Sequence, residues 1–576
     1  VGLSSLLQYA VFLLVVALLV KPIGGYLMRV FNGEKTFLDP ILRPVERLIY
    51  ALARVDPKRE TDWKGYATSF VCSGLAGTLL LYGILRLQYL LPWFFPAYHT
   101  TPLTPDLAMN TAVSFSTTTT WQAYAGESTM TYFSQMVGLT AQGFLAGSSG
   151  LAVGIAFIRG LARDETNKLG NFWVDLVRAS LWVLLPISTV GSLLLIWQGV
   201  PMNFGPYTEA ATLEGGTQVI AQGPAAGLEL IKNLGTNGGG FFNVNGAHPY
   251  ANPTPLTNFL GMLAIVVLPA ALTNTLGRMI RRPRQGWLLF WVMAFLFTMG
   301  LLFDGCAEQS GNPRMAREPG VSMEAGSMQS GGNMEGKEVR FGIGQSVLTA
   351  VTTSNTSTGS YNSMHDSYTP LGGMIPLANM LLGEIIFGGL GGGIYGIIMI
   401  ALVGLFLAGI MIGRSPEYLG KLIGTSEIKL ITLYALYGPV VLMVLTAVAV
   451  VTKSGLAGLT VNGGPHGFTA ILYAYASSFT NNGQNFASLN ANAPFYNVST
   501  AIAMMIGRFG LAITALALAG LFIRQRRRPA TLGTLPTDTF SFGVLLVGTA
   551  IIVGGLSYFS TLALGPIVEH FIMTAD

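Results

Sequence analysis

Four short runs of small polar residues carry the chemistry that this 576-residue sequence can offer. They read Thr117-Thr118-Thr119-Thr120-Trp121-Gln122, Gly235-Thr236-Asn237-Gly238-Gly239-Gly240, Thr356-Ser357-Thr358-Gly359-Ser360-Tyr361 and Thr480-Asn481-Asn482-Gly483-Gln484-Asn485. In three of them a glycine holds the same column (Gly238, Gly359, Gly483), where the first has Thr120. The column recurs at a nearly constant interval of about 120 residues, which marks an internal repeat. Each run follows a fairly apolar stretch, 107–116, 225–234, 345–353 or 469–478, that is too short to cross a bilayer. Non-helical backbone at membrane depth survives only inside protein or around a water-filled cavity. Four such loops around a pseudo-fourfold axis supply rings of carbonyl oxygens, which replace the hydration shell of a monovalent cation. Glycine permits positive φ and lets successive carbonyls point the same way. The short helices would aim their partly negative C-termini at the ion. Almost no acidic side chain occurs in the loops, which argues against divalent ions, since these usually take carboxylate ligands. Small polar residues also serve helix packing, but four copies in register, each after a short apolar stretch, favour a pore. The candidate ligands are Thr117, Thr118, Thr119, Thr120, Asn237, Gly238, Gly239, Thr358, Gly359, Asn482 and Gly483, acting mostly through backbone oxygen.

Two ionisable residues stand out in apolar surroundings. Arg508 lies mid-span in Ile506-Gly507-Arg508-Phe509, where an arginine costs at least about 2.5–3.5 kcal/mol, so it should face a cavity or pair with an acid. Glu384 precedes Gly388-Gly389-Leu390-Gly391-Gly392-Gly393, a poor helix former, and should also face an aqueous path.

The rest of the chain must hold these groups in a membrane. Hydrophobic residues make up 51% of it and charged residues only 10%, against about 25% charged in soluble domains. That excludes a soluble enzyme, a disordered chain and a nucleic-acid binder. Two cysteines, Cys72 in an apolar run and Cys306 in an expected loop, make no disulfide framework; no HExxH or CxxC occurs. Ten segments are long enough to span: 4–20, 66–91, 134–158, 172–199, 257–278, 286–303, 375–413, 428–452, 500–523 and 541–563. The first reads as a retained helix rather than a secretory signal. The seventh is too long for one span and should break at its glycines. With the N-terminus outside, loops 21–65, 159–171, 279–285, 414–427 and 524–540 face inward. With their edges they hold 23 of the 32 Lys and Arg, against six in the outer segments. The positive-inside rule therefore places both termini outside, on the periplasmic face in a bacterium. Arg278, Arg281, Arg282, Arg284, Arg524, Arg526, Arg527 and Arg528 read most simply as topology anchors. The outer loop 304–341 carries six acids, Asp304, Glu308, Glu318, Glu324, Glu335 and Glu338, expected to concentrate cations weakly.

The expected fold is an all-α polytopic membrane protein with ten transmembrane helices and four repeats of helix, pore helix, filter loop and helix. Its units are 1–65 (first span and inner loop), 66–159, 160–279, 280–414 (with the broken span) and 415–524 (four pore repeats), and 525–576 (last span and tail).

The sequence resembles the KdpA family, the potassium-transporting subunits of the bacterial Kdp ATPase in the superfamily of K+ transporters. The resemblance runs over nearly the whole chain. It is carried by Gly235–Asn243, Ala247-His248-Pro249, Asn252-Pro253-Thr254, Gly336–Gly342 and Thr358–Asp366. The first run departs from some relatives, with Thr118 and Thr120 where asparagine is expected, though the backbone carbonyls remain. The resemblance implies high-affinity K+ uptake from the periplasm across the bacterial cytoplasmic (inner) membrane. It implies a P-type ATPase partner (KdpB-like), a single-span accessory subunit (KdpC-like) and a small peptide (KdpF-like). Partner contacts are then with protein and membrane lipid, with no nucleic acid and no covalently bound cofactor. K+ is the transported ion and the only metal. Gln122 takes on a role in K+ affinity, beside the simpler reading that it braces the filter by hydrogen bonds. Arg508 becomes a positive barrier below the filter. Glu384, Gly391 and Gly392 belong to an intramembrane loop that gates a side exit toward the pump subunit. The sequence has no Asp-Lys-Thr-Gly phosphorylation motif and no P-loop, so ATP is hydrolysed on the partner. A stand-alone K+ channel or ion-coupled transporter of the same superfamily is the alternative, and a structural scaffold a more distant one.

Overall fold

Lacking water to satisfy its backbone in hydrocarbon, a chain this apolar must cross as helices. The computed structural model describes residues 1–90, 102–326, 329–413, 415–529 and 534–575. The expected span end at 91 and inner-loop start at 414 lie outside these residues. Among the described residues ten helices are long and apolar enough to cross a membrane. They are α1 (Leu3–Asn32), α3 (Trp63–Leu90), α5 (Ser134–Ala162), α6 (Phe172–Trp197), α8 (Pro255–Met279), α9 (Pro283–Arg317), α12 (Gly392–Met411), α13 (Thr425–Val451), α15 (Pro494–Phe522) and α16 (Phe540–Thr574). Between them come α2 (Asp39–Ala53), α4 (Pro105–Ser116), α7 (Ala225–Leu234), α10 (Gly342–Asn355), α11 (Pro370–Leu381) and α14 (Gly464–Thr480).

Helices α4, α7, α10 and α14 match the four short stretches expected before the polar runs. At 1.5 Å per residue each rises at most about 26 Å, short of the roughly 30 Å hydrocarbon core. The helix after three of the four loops begins with proline in its first turn (Pro255, Pro370, Pro494), where the missing N–H has no intrahelical partner to lose. Two of these starts are capped: Thr254 in a capping box with Thr257, and Thr369 by accepting from the Gly372 N–H.

The most enclosed span is α5, with 89% of its apolar window buried, against 17% for α13. Glycines explain how its neighbours come so close. A Cβ on Gly147 would stand 3.0 Å from the Gly235 carbonyl, and one on Gly150 2.6 Å from the Leu390 carbonyl. One on Gly154 would lie 2.6 Å from the Gly391 Cα, and one on Gly143 3.1 Å from the Asn237 amide. A stripe of small residues along one helix thus seats two irregular segments backbone to backbone.

Several expectations change. The seventh segment is interrupted from Leu382 to Gly391, so the break is wider than its glycine run and includes Glu384. Cys306 sits in the last turns of α9, not in a loop. Asp304 and Glu308 are fully buried on the same helix rather than facing solvent. Glu308 accepts from Lys337 Nζ (2.6 Å), Asn333 Nδ2 (2.9 Å) and the Thr369 N–H (2.8 Å), which fastens the outer loop to the start of α11. A buried carboxylate persists because it is paired and fully hydrogen-bonded. A two-stranded hairpin, β1 (Thr208–Ala211) with β2 (Thr217–Ile220), lies between α6 and α7.

Segment 21–65, expected to face inward, holds a three-faced helix. On α2, Glu46 and Tyr50 face the protein, where Glu46 accepts from Arg178 Nε (3.2 Å) and Tyr50 Oη (2.7 Å). Ile41, Val45, Leu48 and Leu52, continuing from Phe37, form an exposed apolar stripe at three- and four-residue spacing. Arg43, Arg47 and Arg54 take the remaining side. Such a helix, rich in arginine opposite its apolar face, lies in a membrane interface. A nitroxide at position 48 in proteoliposomes should be more accessible to oxygen than to a water-soluble nickel chelate, and one at position 47 the reverse. Equal chelate access at both positions would contradict this placement.

Candidate ion-conduction site

Each short helix ends in the same backbone turn. The N–H three places into each polar run bonds a carbonyl five residues back: Thr119 to Ser114 (3.0 Å), Asn237 to Lys232 (2.9 Å), Thr358 to Thr353 (3.2 Å) and Asn482 to Ser477 (2.9 Å). The residue just before is left-handed in all four copies, with φ of 62° at Thr118, 48° at Thr236, 53° at Ser357 and 59° at Asn481. A non-glycine residue at positive φ is uncommon, and four in one column show that this turn is the repeated element. Sequence reasoning assigned positive φ to the glycine column. Gly238 (81°) and Gly483 (97°) adopt it, and so does Thr120 (45°), but Gly359 does not.

The loops touch in ring order. The first meets the second through the Thr120 hydroxyl, which donates to the Asn237 carbonyl. Second and third join where the Gly239 N–H donates to Gly359 O (3.2 Å), and a Cβ at Gly238 would fall on the Gly359 backbone. Third and fourth join through Ser357 Oγ to Thr480 O (2.8 Å). The ring closes through Asn481 Nδ2 to Thr119 Oγ1 (2.9 Å), and a Cβ at Gly483 would fall on the Thr119 carbonyl. Ten of the eleven predicted ligands are buried and the eleventh, Gly483, is half-buried. Thr117 takes no part in these joints: its N–H and hydroxyl bond back to Val113 O (3.0 and 2.9 Å) at the end of α4. Gln122 lies at the joint between the first two loops, accepting from the Gly240 N–H (2.8 Å) and donating to Gly240 O (3.1 Å). That geometry is a brace.

Three features were missed in the sequence. Lys232, counted there as an outer-segment charge, is 1% exposed in α7, paired with Glu229 and donating to Asn245 Oδ1 (2.7 Å). Asn245 in turn donates to Gly239 O (2.5 Å). Glu229 and Lys232, one turn apart on a short apolar helix, were the available signal. Third, Thr236, Ser357 and Asn481 join Thr118 in lining the space below the ring.

That space is a cavity of about 140 Å³. Glu384, Gly389, Leu390, Gly392 and Arg508 line it, and Tyr434 of α13 and Tyr558 of α16 extend it to the side. The interrupted segment hangs from the loops: Gly389 N–H donates to Thr356 O (2.8 Å) and Leu390 N–H to Thr236 Oγ1 (3.0 Å). Gly391 has φ of 101° and abuts Gly154 of α5, where a side chain would collide with backbone. Glu384 accepts from Asn482 Nδ2 (2.6 Å) and Thr480 Oγ1 (3.2 Å), which ties it to the fourth loop. Arg508 sits in a π-turn, Ile506–Gly510, within α15. Such turns re-aim side chains and concentrate at functional sites. Its guanidinium donates to Ala146 O (2.8 Å) and Ser149 Oγ (3.0 Å); among the described residues no carboxylate pairs with it.

A family model, KdpA, described as potassium-transporting ATPase A subunit, matches residues 10–571. The chain belongs to the KdpA family. A relative named potassium-transporting ATPase potassium-binding subunit, from Methylorubrum extorquens, is 52% identical over 569 residues, covering 99% of this chain and 98% of its own. Another of that name, from Granulibacter bethesdensis, is 50% identical over 572 residues, covering 99% of both. The solved potassium transporter TrkH from Vibrio parahaemolyticus matches with a TM-score of 0.49 at 12% identity, covering 88% of this chain and 97% of its own.

Outside the ring, this KdpA-family chain ties its last helix to the loops. His466, at the start of α14, shares hydrogens with Asp366 (2.8 Å) and Glu569 of α16 (2.7 Å). Burial disfavours the imidazolium, but hydrogen bonds to Asp366 and Glu569, together with their charges, outweigh it and hold the pKa up at about 9. A raised folded pKa gives stability that is full below the ordinary value near 6.5 and is lost as pH climbs through about 9. The melting temperature should therefore fall between pH 7 and 10, and His466→Gln should flatten that fall. An identical pH profile in the variant would refute the assignment.

Proposed function

We propose that this chain is the K+-binding and translocating subunit of an ATP-driven potassium uptake complex. In this reading it selects K+ from the periplasmic side at the four-loop ring and passes it toward a partner ATPase subunit. The observation that carries the proposal is the ring itself: four like turns at the ends of four short helices, above a cavity that holds Glu384 and Arg508. Membership of the KdpA family sets that ring in a pump rather than a stand-alone channel.

The filter ligands are the backbone oxygens of Thr117 to Thr120, Asn237 to Gly239, Thr358, Gly359, Asn482 and Gly483. Several of these carbonyls already accept hydrogen bonds: Asn237 from Thr120, Gly239 and Gly359 from Asn245, and Thr358 from Thr353. An arriving ion shares oxygens that have a second lone pair free, and the C-terminal ends of α4, α7, α10 and α14 add favourable potential. Once below the ring, a cation meets Glu384, which attracts it, and Arg508, which opposes a straight path inward. The flexible glycine segment Gly388–Gly393 gates a side exit along α12, α13 and α16. ATP is hydrolysed on the partner, a KdpB-like P-type ATPase subunit. KdpC-like and KdpF-like chains complete the complex in the bacterial inner membrane, with both termini periplasmic.

The test is the ATPase activity of the assembled complex, titrated with K+ and with Na+. Low K+ should stimulate and Na+ should not. Gln122→Leu removes two hydrogen bonds on Gly240 at about 1 kcal/mol each, so the K+ midpoint should rise up to about 30-fold. Equal stimulation by Na+ in the wild type would overturn the filter. K+-selective liposome flux with no co-purifying ATPase chain would favour the stand-alone transporter. Arg508→Ala should open a passive K+ leak in liposomes, and unchanged flux would remove its role as barrier.

A further inference from the structure

The four repeats share one position that is not chemically equivalent. Ser114, Lys232, Thr353 and Ser477 each lend their carbonyl to the loop five residues on. In three copies the side chain is a hydroxyl that returns to its own loop. Ser114 Oγ donates to Trp121 O (2.9 Å), Thr353 Oγ1 accepts from the Ser360 N–H (3.1 Å), and Ser477 Oγ accepts from the Gly483 N–H (2.9 Å). In the second repeat the side chain is a buried ammonium that bonds Glu229 and Asn245 instead of its loop's backbone.

That ammonium has two partners, the Glu229 carboxylate and Asn245 Oδ1. A buried charge is tolerated only when it is paired and hydrogen-bonded. Asn245 Oδ1 also accepts from the Gly246 N–H (2.8 Å). With two donors on the oxygen, the amide has one allowed orientation, because a flip would press its NH2 against an ammonium. Nδ2 must then face the carbonyls of Gly239 (2.5 Å) and Gly359 (3.3 Å), which belong to different loops. Asn245 is 2% exposed and left-handed, with φ of 54°, a conformation asparagine adopts more readily than most residues.

We propose that Lys232 and Asn245 form a charge-locked bridge that fixes the spacing of the second and third loops and so sets which monovalent cation the ring accepts. This rests on the ring being the filter. Asn245 is a positioning residue: it fixes the Gly239 and Gly359 carbonyls, and Lys232 fixes Asn245. The other joints of the ring use neutral hydroxyl and amide donors, Thr120, Ser357 and Asn481. A cation smaller than K+ needs the carbonyls to close inward. The bridge resists that movement at the joint where the backbones of Gly238 and Gly359 abut.

The experiment measures half-maximal K+, Rb+ and Na+ concentrations for ATPase stimulation in the whole complex. Asn245→Asp keeps the volume and can still meet Lys232, but its carboxylate cannot donate to the carbonyls. Lys232→Met with Glu229→Gln removes the charged pair without stranding an acid. Each should cut K+ over Na+ discrimination at least tenfold. Joined with Asn245→Asp, the pair should cost little more, because all act through one bridge. A purely structural role would shift all three ions and the maximal rate together and leave their ratios intact; that result would overturn the proposal. Gly483→Ala, on the opposite joint, separates the two claims. If it abolishes selectivity while the bridge variants keep wild-type ratios, only the bridge is wrong. If ion ratios survive Gly483→Ala as well, the ring is not the filter and both readings fall.

Discussion

Backbone that leaves the helix at membrane depth must find every hydrogen-bond partner inside the protein, and here that demand is met by one turn used four times. The left-handed residue at Thr118, Thr236, Ser357 or Asn481 reverses the chain so that the next N–H reaches the carbonyl five residues back. The loop is then free to offer its remaining oxygens toward its neighbours. The packing around it follows. Gly238 and Gly483 are bare because another loop's backbone occupies the place of their side chains. The α5 glycines are bare because the second loop and the interrupted segment rest on them.

The cavity beneath the ring holds an acid and an arginine, Glu384 and Arg508, that are each bonded to neutral groups. Glu384 spends its carboxylate on Asn482 and Thr480 of the fourth loop, so its position is coupled to the ring. Arg508 is held by a neutral carbonyl and a hydroxyl, which orient the guanidinium without cancelling its charge. Charges in a low-dielectric, partly enclosed space act on an ion far more strongly than at a surface. The interrupted segment between α11 and α12 is what lets an acid and three glycines, Gly383, Gly388 and Gly389, share that space, since a continuous helix would have filled it.

Much of this was legible in the sequence because the signals were local. A polar run after ten apolar residues, recurring at even intervals, located all four loops, and α7 begins and ends where the pattern set it. The glycine run announced the break in the seventh span. It did not announce that Gly383 and Glu384 also leave the helix, because that depends on Asn482 and Thr480 reaching across from the fourth repeat. Glu308 read as solvent-facing because its partner, Lys337, lies about 30 residues on. Lys232 read as an ordinary outer charge because Asn245, which explains its burial, follows the loop rather than preceding it. The amphipathic α2 was hidden among the basic residues that fixed the topology. For Glu384, Glu308 and Lys232 the missed feature is a contact between segments, which periodicity does not encode.

The account stands on the ring being where the ion loses its water. The most direct measurement is an anomalous-scattering or difference-density map of the complex with Rb+ or Tl+ in place of K+. The account predicts a peak on the axis of the ring, enclosed by residues 117–120, 237–239, 358–359 and 482–483. Density confined to the cavity beside Glu384, with none between the four loops, would contradict it.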